Sequence, residues 1–240
     1  MLEANCGLDH CFLCQHCIPE WKEVIALRKK TILIKKGKTL FREGEKVEGI
    51  FFIYSGTVKI HAPWGEDKEM IIRFARRGDI AGHRGLGGNA IGSNDTDRAP
   101  IGSPPVYPIS ATALEDTTVC FIANEFLEVS LKANPSLTYT LMQFYATELQ
   151  KAEQRMRNLT HMEVKGRIAA ALLDITQTFG CDKEKFITVA LTRQDIASYA
   201  GTTYETVFKL FTEWTSQKII STSGKSIRIN KPEVLQSYVK

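Results

Sequence analysis

Leu191–Trp214 reads LTRQDIASYAGTTYETVFKLFTEW, two short amphipathic runs hinged on one glycine. Thr192 is placed to N-cap the first run, with acidic Asp195 three residues on, in the first turn. Ala197 is small where two helices must approach closely, and Gly201 supplies the left-handed backbone of a tight turn. Thr202 or Thr203 then caps a second helix, whose Val207, Leu210, Phe211 and Trp214 form one inward stripe. Tyr204, Glu205, Phe208 and Lys209 are left on the outward, N-terminal part. This is the order of a helix-turn-helix, which in its DNA-binding form sets that part against base edges in the major groove. Two helices joined by a glycine turn are also an ordinary structural element. The residues after Trp214 argue for DNA: a hairpin turning at Ser223-Gly224-Lys225 puts a lysine at its tip, as in a wing that touches phosphate.

Upstream, from about Thr31 to Ala123, short β-prone runs alternate with glycine turns, including TILIKKG, TLFREGE, GIFFIYSGTVKIHA, KEMIIRFARRGDIAG, VYPISATAL and TTVCFIA. Such spacing predicts a closed or double-sheet β structure, and YSGT between two apolar runs reads as a hairpin. The Gly-, Ser-, Asn- and Pro-rich stretch between Gly82 and Pro108 reads as a long surface loop. After Asn124 the period changes. No glycine or proline occurs from Ser136 to Lys165, and Tyr145, Leu149, Ala152, Met156, Leu159 and Glu163 follow the 4-3-4-3-4 spacing of a coiled-coil seam. Only Glu163 is polar. A two-helix dimer seam is the reading; the alternative is one helix packed on its own domain.

The 240 residues suffice for one large or two small domains, and 43% hydrophobic with 24% charged residues is ordinary for a globular chain. No run approaches the roughly 20 apolar residues of a membrane span, and Met1–Asn5 lacks a basic leader, so a cytoplasmic protein with no membrane partner is expected. The net charge of +4 permits nucleic-acid binding without demanding it. No nucleophile elbow, P-loop, metalloprotease helix or dinucleotide fingerprint is present, and no enzyme is expected. In a reducing compartment the N-terminal CGLDHCFLCQHCIP (Cys6–Pro19), with four of the six cysteines, reads as metal-binding or redox-active. Cys11-x2-Cys14-x2-Cys17 has the spacing with which ferredoxin-type sites supply three iron–sulfur ligands. Zinc held by Cys6, Cys11, Cys14 and Cys17, or by a mix with His10 or His16, would also satisfy tetrahedral coordination. A thiol–disulfide switch, or no role at all, stays open as well.

Through LTRQDIASYAG, ETVFK and GKSIRI, and through TLFREGE, FFIYSGTVKI and RRGDIAG upstream, nearly the whole chain resembles a Crp/Fnr-type bacterial transcription regulator. The resemblance implies an α+β fold: a cysteine-rich arm and helix (1–30), an antiparallel β-roll like the cyclic-nucleotide-binding jelly roll (31–125), a dimerisation helix region (126–163) and a winged helix-turn-helix (164–240). It implies a homodimer on a palindromic promoter site in double-stranded DNA, working with RNA polymerase. Carried over by position, Arg193, Gln194, Thr203, Thr206 and Lys225 contact phosphates, while Glu205 and Lys209 face bases. Glu205 suits a hydrogen bond from cytosine N4. Lys209 departs from the family's usual arginine, a planar fork that reads guanine bidentately. Phe208 stands where relatives often have a small residue, and Tyr204 is not the arginine of cyclic-AMP-responsive members.

For the signal, the cyclic-AMP-binding members place an arginine before a small hydroxyl residue ahead of a late strand. Here YPISATAL has no arginine before Ser110, and only Arg98 in the long loop is offered as a substitute. The resemblance to Fnr-type oxygen sensors instead points to the cysteines. Cys120 matches their remote fourth ligand, and Cys17-Ile18-Pro19 matches their last N-terminal ligand, although the gap before it is shorter here. The implied set is Cys11, Cys14, Cys17 and Cys120 around an iron–sulfur cluster of the 4Fe-4S type, with Cys6 as a possible alternative ligand. Such a cluster would sense oxygen or redox and nitrosative state and control dimerisation. Cys120 alone would also serve as a small core residue, and no function is assigned to Cys181.

Overall fold

The computed structural model describes residues 11–65, 68–87 and 105–239. Two short helices, α1 (Phe12–His16) and α2 (Trp21–Arg28), precede eight strands: β1 (Lys30–Ile34), β2 (Thr39–Phe41), β3 (Gly49–Ser55), β4 (Val58–Trp64), β5 (Lys68–Ala75), β6 (Ile80–Ala81), β7 (Ser110–Ala113) and β8 (Thr117–Ala123). Then come α3 (Asn124–Ala133), the long α4 (Pro135–His161), α5 (Val164–Phe179), α6 (Arg193–Ala200), α7 (Tyr204–Ser216), the hairpin β9 (Ile220–Ser223) and β10 (Ser226–Ile229), and α8 (Pro232–Tyr238). The fold is α+β, and its strand pairs are antiparallel. No helix among the described residues is long and apolar enough to cross a membrane. The chain divides into two compact units, with the boundary inside α4 after Tyr145 and with Lys68–Ile71 grouped with the second.

In the first unit two four-stranded sheets form the roll, in the orders β1-β8-β3-β6 and β2-β7-β4-β5. Strand β3 explains its own unbroken apolar run, because both of its faces are buried. Phe51 and Ile53 point into the roll with Phe41, Val58, Ile60, Tyr107 and Val119. Ile50 and Phe52, on the opposite face of the pleat, join Leu127, Leu137 and Leu141 of α3 and α4. Strand β8 follows the same alternation: Val119 faces the roll interior, and Cys120 and Ile122 face the helices. Register fixes Cys120 opposite Phe52 on one side and Thr31 on the other.

The expected YSGT hairpin is corrected. Strands β3 and β4 lie in different sheets, so Ser55–Val58 is a corner that carries the chain from one sheet to the other. Gly56 sits there at φ +90°, where an added Cβ would collide with Thr117 Oγ1. The local turn chemistry was legible, but the pairing was decided by longer-range burial. A second correction concerns Glu163, expected to close the coiled-coil series. Helix α4 ends at His161, and Glu163 has extended ψ at the N-cap of α5, so the series stops at Leu159.

The second unit packs α5, α6, α7 and α8 with the β9–β10 hairpin around Ile168, Leu172, Ile196, Val207, Phe211, Trp214, Ile227 and Leu235.

Candidate nucleic-acid interface and cysteine site

Helix α6 starts with a reciprocal capping box. Thr192 Oγ1 accepts from the Asp195 amide at 3.0 Å, and the Thr192 amide donates to Asp195 Oδ2 at 2.9 Å. These bonds satisfy a carboxylate that is otherwise buried. The helix ends at Gly201 in the left-handed conformation (φ 64°, ψ 48°), where the Thr202 amide reaches back to the Ala197 carbonyl at 3.0 Å. Between the two threonine candidates the structure selects Thr203, whose Oγ1 accepts from the Thr206 amide at 3.3 Å to cap α7. Val207, Phe211 and Trp214 are buried, and Leu210 only partly so. Tyr204, Glu205, Phe208 and Lys209 stand exposed on the opposite face.

The other DNA candidates surround the same end. The Arg193 guanidinium lies over the Phe211 ring at 5.4 Å and donates to the Gly224 carbonyl at 3.4 Å, tying the start of α6 to the wing tip. Gln194 lies within 3.4 Å of Ser198 Oγ, and Thr203 and Thr206 share a hydroxyl contact of 3.1 Å. Lys225 is exposed at the two-residue turn between β9 and β10. Sequence reasoning missed the side chains that brace this head. Arg167 donates to the carbonyls of Met162, Ala200 and Gly201, holding the inter-helix turn. Arg155 donates to the Tyr199 carbonyl at 2.5 Å and covers that ring at 4.8 Å, while the Tyr199 hydroxyl donates to Asp174. Burial first, and then Asp174, push the Tyr199 phenol well above its ordinary range. Lys165 pairs with Glu213 at 2.8 Å. No periodicity marks an arginine that caps another helix's carbonyls.

On α4, Leu149, Ala152 and Met156 are exposed. Met142, one heptad before Leu149, is exposed too and extends the apolar series; the sequence reading overlooked it. Tyr145 is half-buried, donating its hydroxyl to the His83 carbonyl, with its ring edge-on to His83. Leu159 lies against the helix-turn-helix: a Cβ at Gly201 would meet Leu159 Cδ2 at 2.5 Å.

Four of the cysteines lie on the helix-facing side of the roll. Cys11 and Cys17 bracket α1 as its N- and C-cap residues. Cys14, Cys17 and Cys120 are buried in one apolar cluster with Leu13, Ile25, Ile50, Phe52, Ile80 and Ile122, and half-buried Cys11 packs against it. The arm is docked at both ends. The Phe12 amide donates to the Gly78 carbonyl at 3.2 Å, and the Ile18 amide to Asn134 Oδ1 at 2.9 Å. Trp21 Nε1 donates to Ser130 Oγ at 3.0 Å, and its ring stacks on Phe126. Burial raises the Cys17 thiol above its ordinary pKa, opposed by Lys22, and its Sγ lies 3.7 Å from the Cys14 carbonyl oxygen. Among the described residues, none of the cysteines is in a disulfide, and no three His, Cys, Asp or Glu stand together as a metal-holding group. Cys6, His10 and Arg98 lie outside the described residues. Cys181 is exposed in the second unit. In the roll, the Ser110 hydroxyl accepts from the Glu43 amide at 3.0 Å, and Phe41 and Tyr107 stack at 4.1 Å inside.

Comparison with known proteins agrees with this geometry. Residues 31–134 match the cyclic nucleotide-binding domain, and residues 166–238 match the Crp-like helix-turn-helix domain. The transcriptional activator protein Anr of Pseudomonas aeruginosa is 29% identical over 236 residues, covering 95% of this chain and 89% of that protein. The anaerobic regulatory protein of Bacillus subtilis is 28% identical over 225 residues, covering 92% and 87%. The solved structure of FixK2 from Bradyrhizobium japonicum superposes with a TM-score of 0.72 at 22% identity, covering 88% of this chain and 98% of that one. With a cyclic nucleotide-binding-type roll and a Crp-like reading head in the family's order, the chain belongs to the Crp/Fnr family of DNA-binding transcriptional regulators, which are not enzymes.

Proposed function

We infer that the protein is a cytoplasmic, homodimeric regulator that binds a palindromic promoter site and senses oxygen or redox and nitrosative state through an iron–sulfur cluster held by its cysteines. Regulators of this family bind DNA and act as dimers. The exposed series Met142, Leu149, Ala152 and Met156 supports α4 as the helix that pairs with a second copy. Tyr204, Glu205, Phe208 and Lys209 face the base edges, flanked by Arg193, Gln194, Thr203, Thr206 and Lys225 at the phosphates. RNA polymerase is the expected further partner at the promoter.

One observation carries the sensor reading. Segments more than a hundred residues apart contribute Cys14, Cys17 and Cys120 to one apolar core cluster, with Cys11 packed against it, although no three of them stand as a metal-holding group among the described residues. Four sulfurs are the donor set of a 4Fe-4S cluster, and these are the residues that would hold it. The fit lies in donor chemistry and shared location; the thiols themselves are packed as small apolar side chains, and burial favours the protonated Cys17. Bound there, a cluster would supply an oxygen-reactive, redox-active group. The chain's own contribution is to dock the arm, through Phe12 on Gly78, Ile18 on Asn134 and Trp21 on Ser130, so that α1 stays in the apolar cluster that includes Cys120. The names of two relatives, an anaerobic regulatory protein and a fumarate and nitrate reduction regulatory protein, point to the same class of signal.

The test is metal and sulfide analysis of anaerobically purified protein. Iron, acid-labile sulfide and broad absorbance near about 400 nm are expected, all lost in Cys120→Ser. Stoichiometric zinc without sulfide would assign the cysteines a structural site, with any small-ligand signal left to the roll. Neither metal would leave a thiol–disulfide switch or plain packing.

A further inference from the structure

The outward face of α7 carries two aromatic rings to which the DNA reading assigns no chemistry. Tyr204 and Phe208 are one helical turn apart and stack on each other, with centroids 6.2 Å apart and planes inclined by 22°. They are 43% and 54% exposed, whereas Val207, Phe211 and Trp214 on the inward face are buried. The core of this unit is therefore complete without them, and they leave an apolar ridge in water. Glu205 and Lys209, each one position further along, flank that ridge with an acceptor and a cation.

A major groove offers such a surface donors, acceptors and one apolar feature, the C5 methyl of thymine; the minor groove offers no methyl. We propose that the Tyr204–Phe208 stack docks on thymine methyl groups, with Phe208 as a specificity-determining residue that requires thymine in each half-site. The proposal rests on α7 being the recognition helix. Phe208 makes the contact, and Tyr204 backs it, so the ridge meets the groove with little side-chain freedom left to lose. Cytosine at the same place is rejected twice: it has no methyl to bury, and its N4 amino group would be desolvated against a ring that cannot accept a hydrogen bond. Glu205 and Lys209 then read the polar edges of neighbouring pairs, and the aromatic ridge reads the apolar one.

The experiment is methyl-deletion scanning. Binding-site selection with the full-length dimer defines the half-site, and each thymine in it is then replaced by uracil, which lacks only the methyl group. At one thymine or more, uracil should weaken wild-type binding roughly fourfold per half-site, the worth of burying one methyl-sized group. Phe208→Ala should bind thymine and uracil duplexes equally, and Phe208→Leu, still apolar, should keep part of the preference. Phe208 is exposed, so neither variant threatens the fold. Uracil tolerance at every thymine in the wild type, a selected half-site without thymine, or undiminished methyl preference in Phe208→Ala overturns the proposal while the DNA reading stands. Absence of any sequence-specific DNA binding overturns both.

Discussion

Replacing Gly201 with alanine separates two effects that this structure places on one atom. The residue sits at φ 64° and ψ 48°, where an L side chain costs about 1–2 kcal/mol relative to glycine. The new Cβ would also lie 2.5 Å from Leu159 Cδ2, far inside contact distance, so Leu159 or the end of α4 must move. Overpacking of that kind costs about 1–3 kcal/mol, and the leucine's freedom to swing places this case at the lower end. Gly201→Ala should therefore destabilise the reading head by about 2–4 kcal/mol. In a Leu159→Ala background the clash is gone and only the backbone cost of about 1–2 kcal/mol should remain, a coupling of comparable size. Native-state hydrogen exchange of the α6 and α7 amides reads the opening free energy of this region in the full chain. An equal loss in both backgrounds would show that Leu159 does not press on the turn. A loss below about 0.5 kcal/mol in the wild-type background would refute the left-handed cap itself.

Three further outcomes concern other parts of the molecule. His83 is buried, and among the described residues neither ring nitrogen has a hydrogen-bond partner; burial, then Arg73 and Arg84, lowers its pKa to about 3. The unfolded chain thus binds a proton that the folded one refuses, so stability should fall as pH drops from about 6.5 toward 3, by on the order of 5 kcal/mol at full effect. Denaturation midpoints for His83→Leu should lose this pH dependence, and an unchanged slope would count against it. Glu205→Ala should relax base preference at one position of the half-site by about 1–3 kcal/mol, and binding-site selection returning an unchanged motif would sink that assignment. Met156→Asp places a charge in the exposed apolar series of α4 and should weaken self-association at least about tenfold by sedimentation, roughly the cost of one desolvated polar group; an unaltered dimer would move the seam elsewhere.

What sequence could convey here was mostly local chemistry. Thr192, Asp195 and Gly201 announced the helix-turn-helix because a cap or a left-handed turn is made by residues within four positions of one another. The apolar run of β3 reads as a β-prone segment, and only the structure shows that both of its faces are buried. YSGT reads as a hairpin because turn residues report a reversal of the chain and not which sheet receives the next strand. Glu163 fits the seam by spacing, because spacing alone does not show where an uninterrupted helical pattern breaks. Arg167 and Arg155 were invisible for a different reason: their partners are backbone carbonyls of α6 and its turn, which carry no signature. Cys120 entered through family resemblance only, since nothing in TTVCFIA distinguishes its helix-facing side from that of any core strand residue.

DNA affinity before and after exposure to air tests the central claim most directly. Anaerobically purified protein should bind its selected palindrome tightly as a dimer and lose at least about tenfold in affinity on brief oxygenation, in step with loss of the visible absorbance, while Cys120→Ser should start weak and not respond. Undiminished binding after oxygenation, or a Cys120→Ser variant that binds and responds like the wild type, would contradict a cysteine-held cluster as the switch.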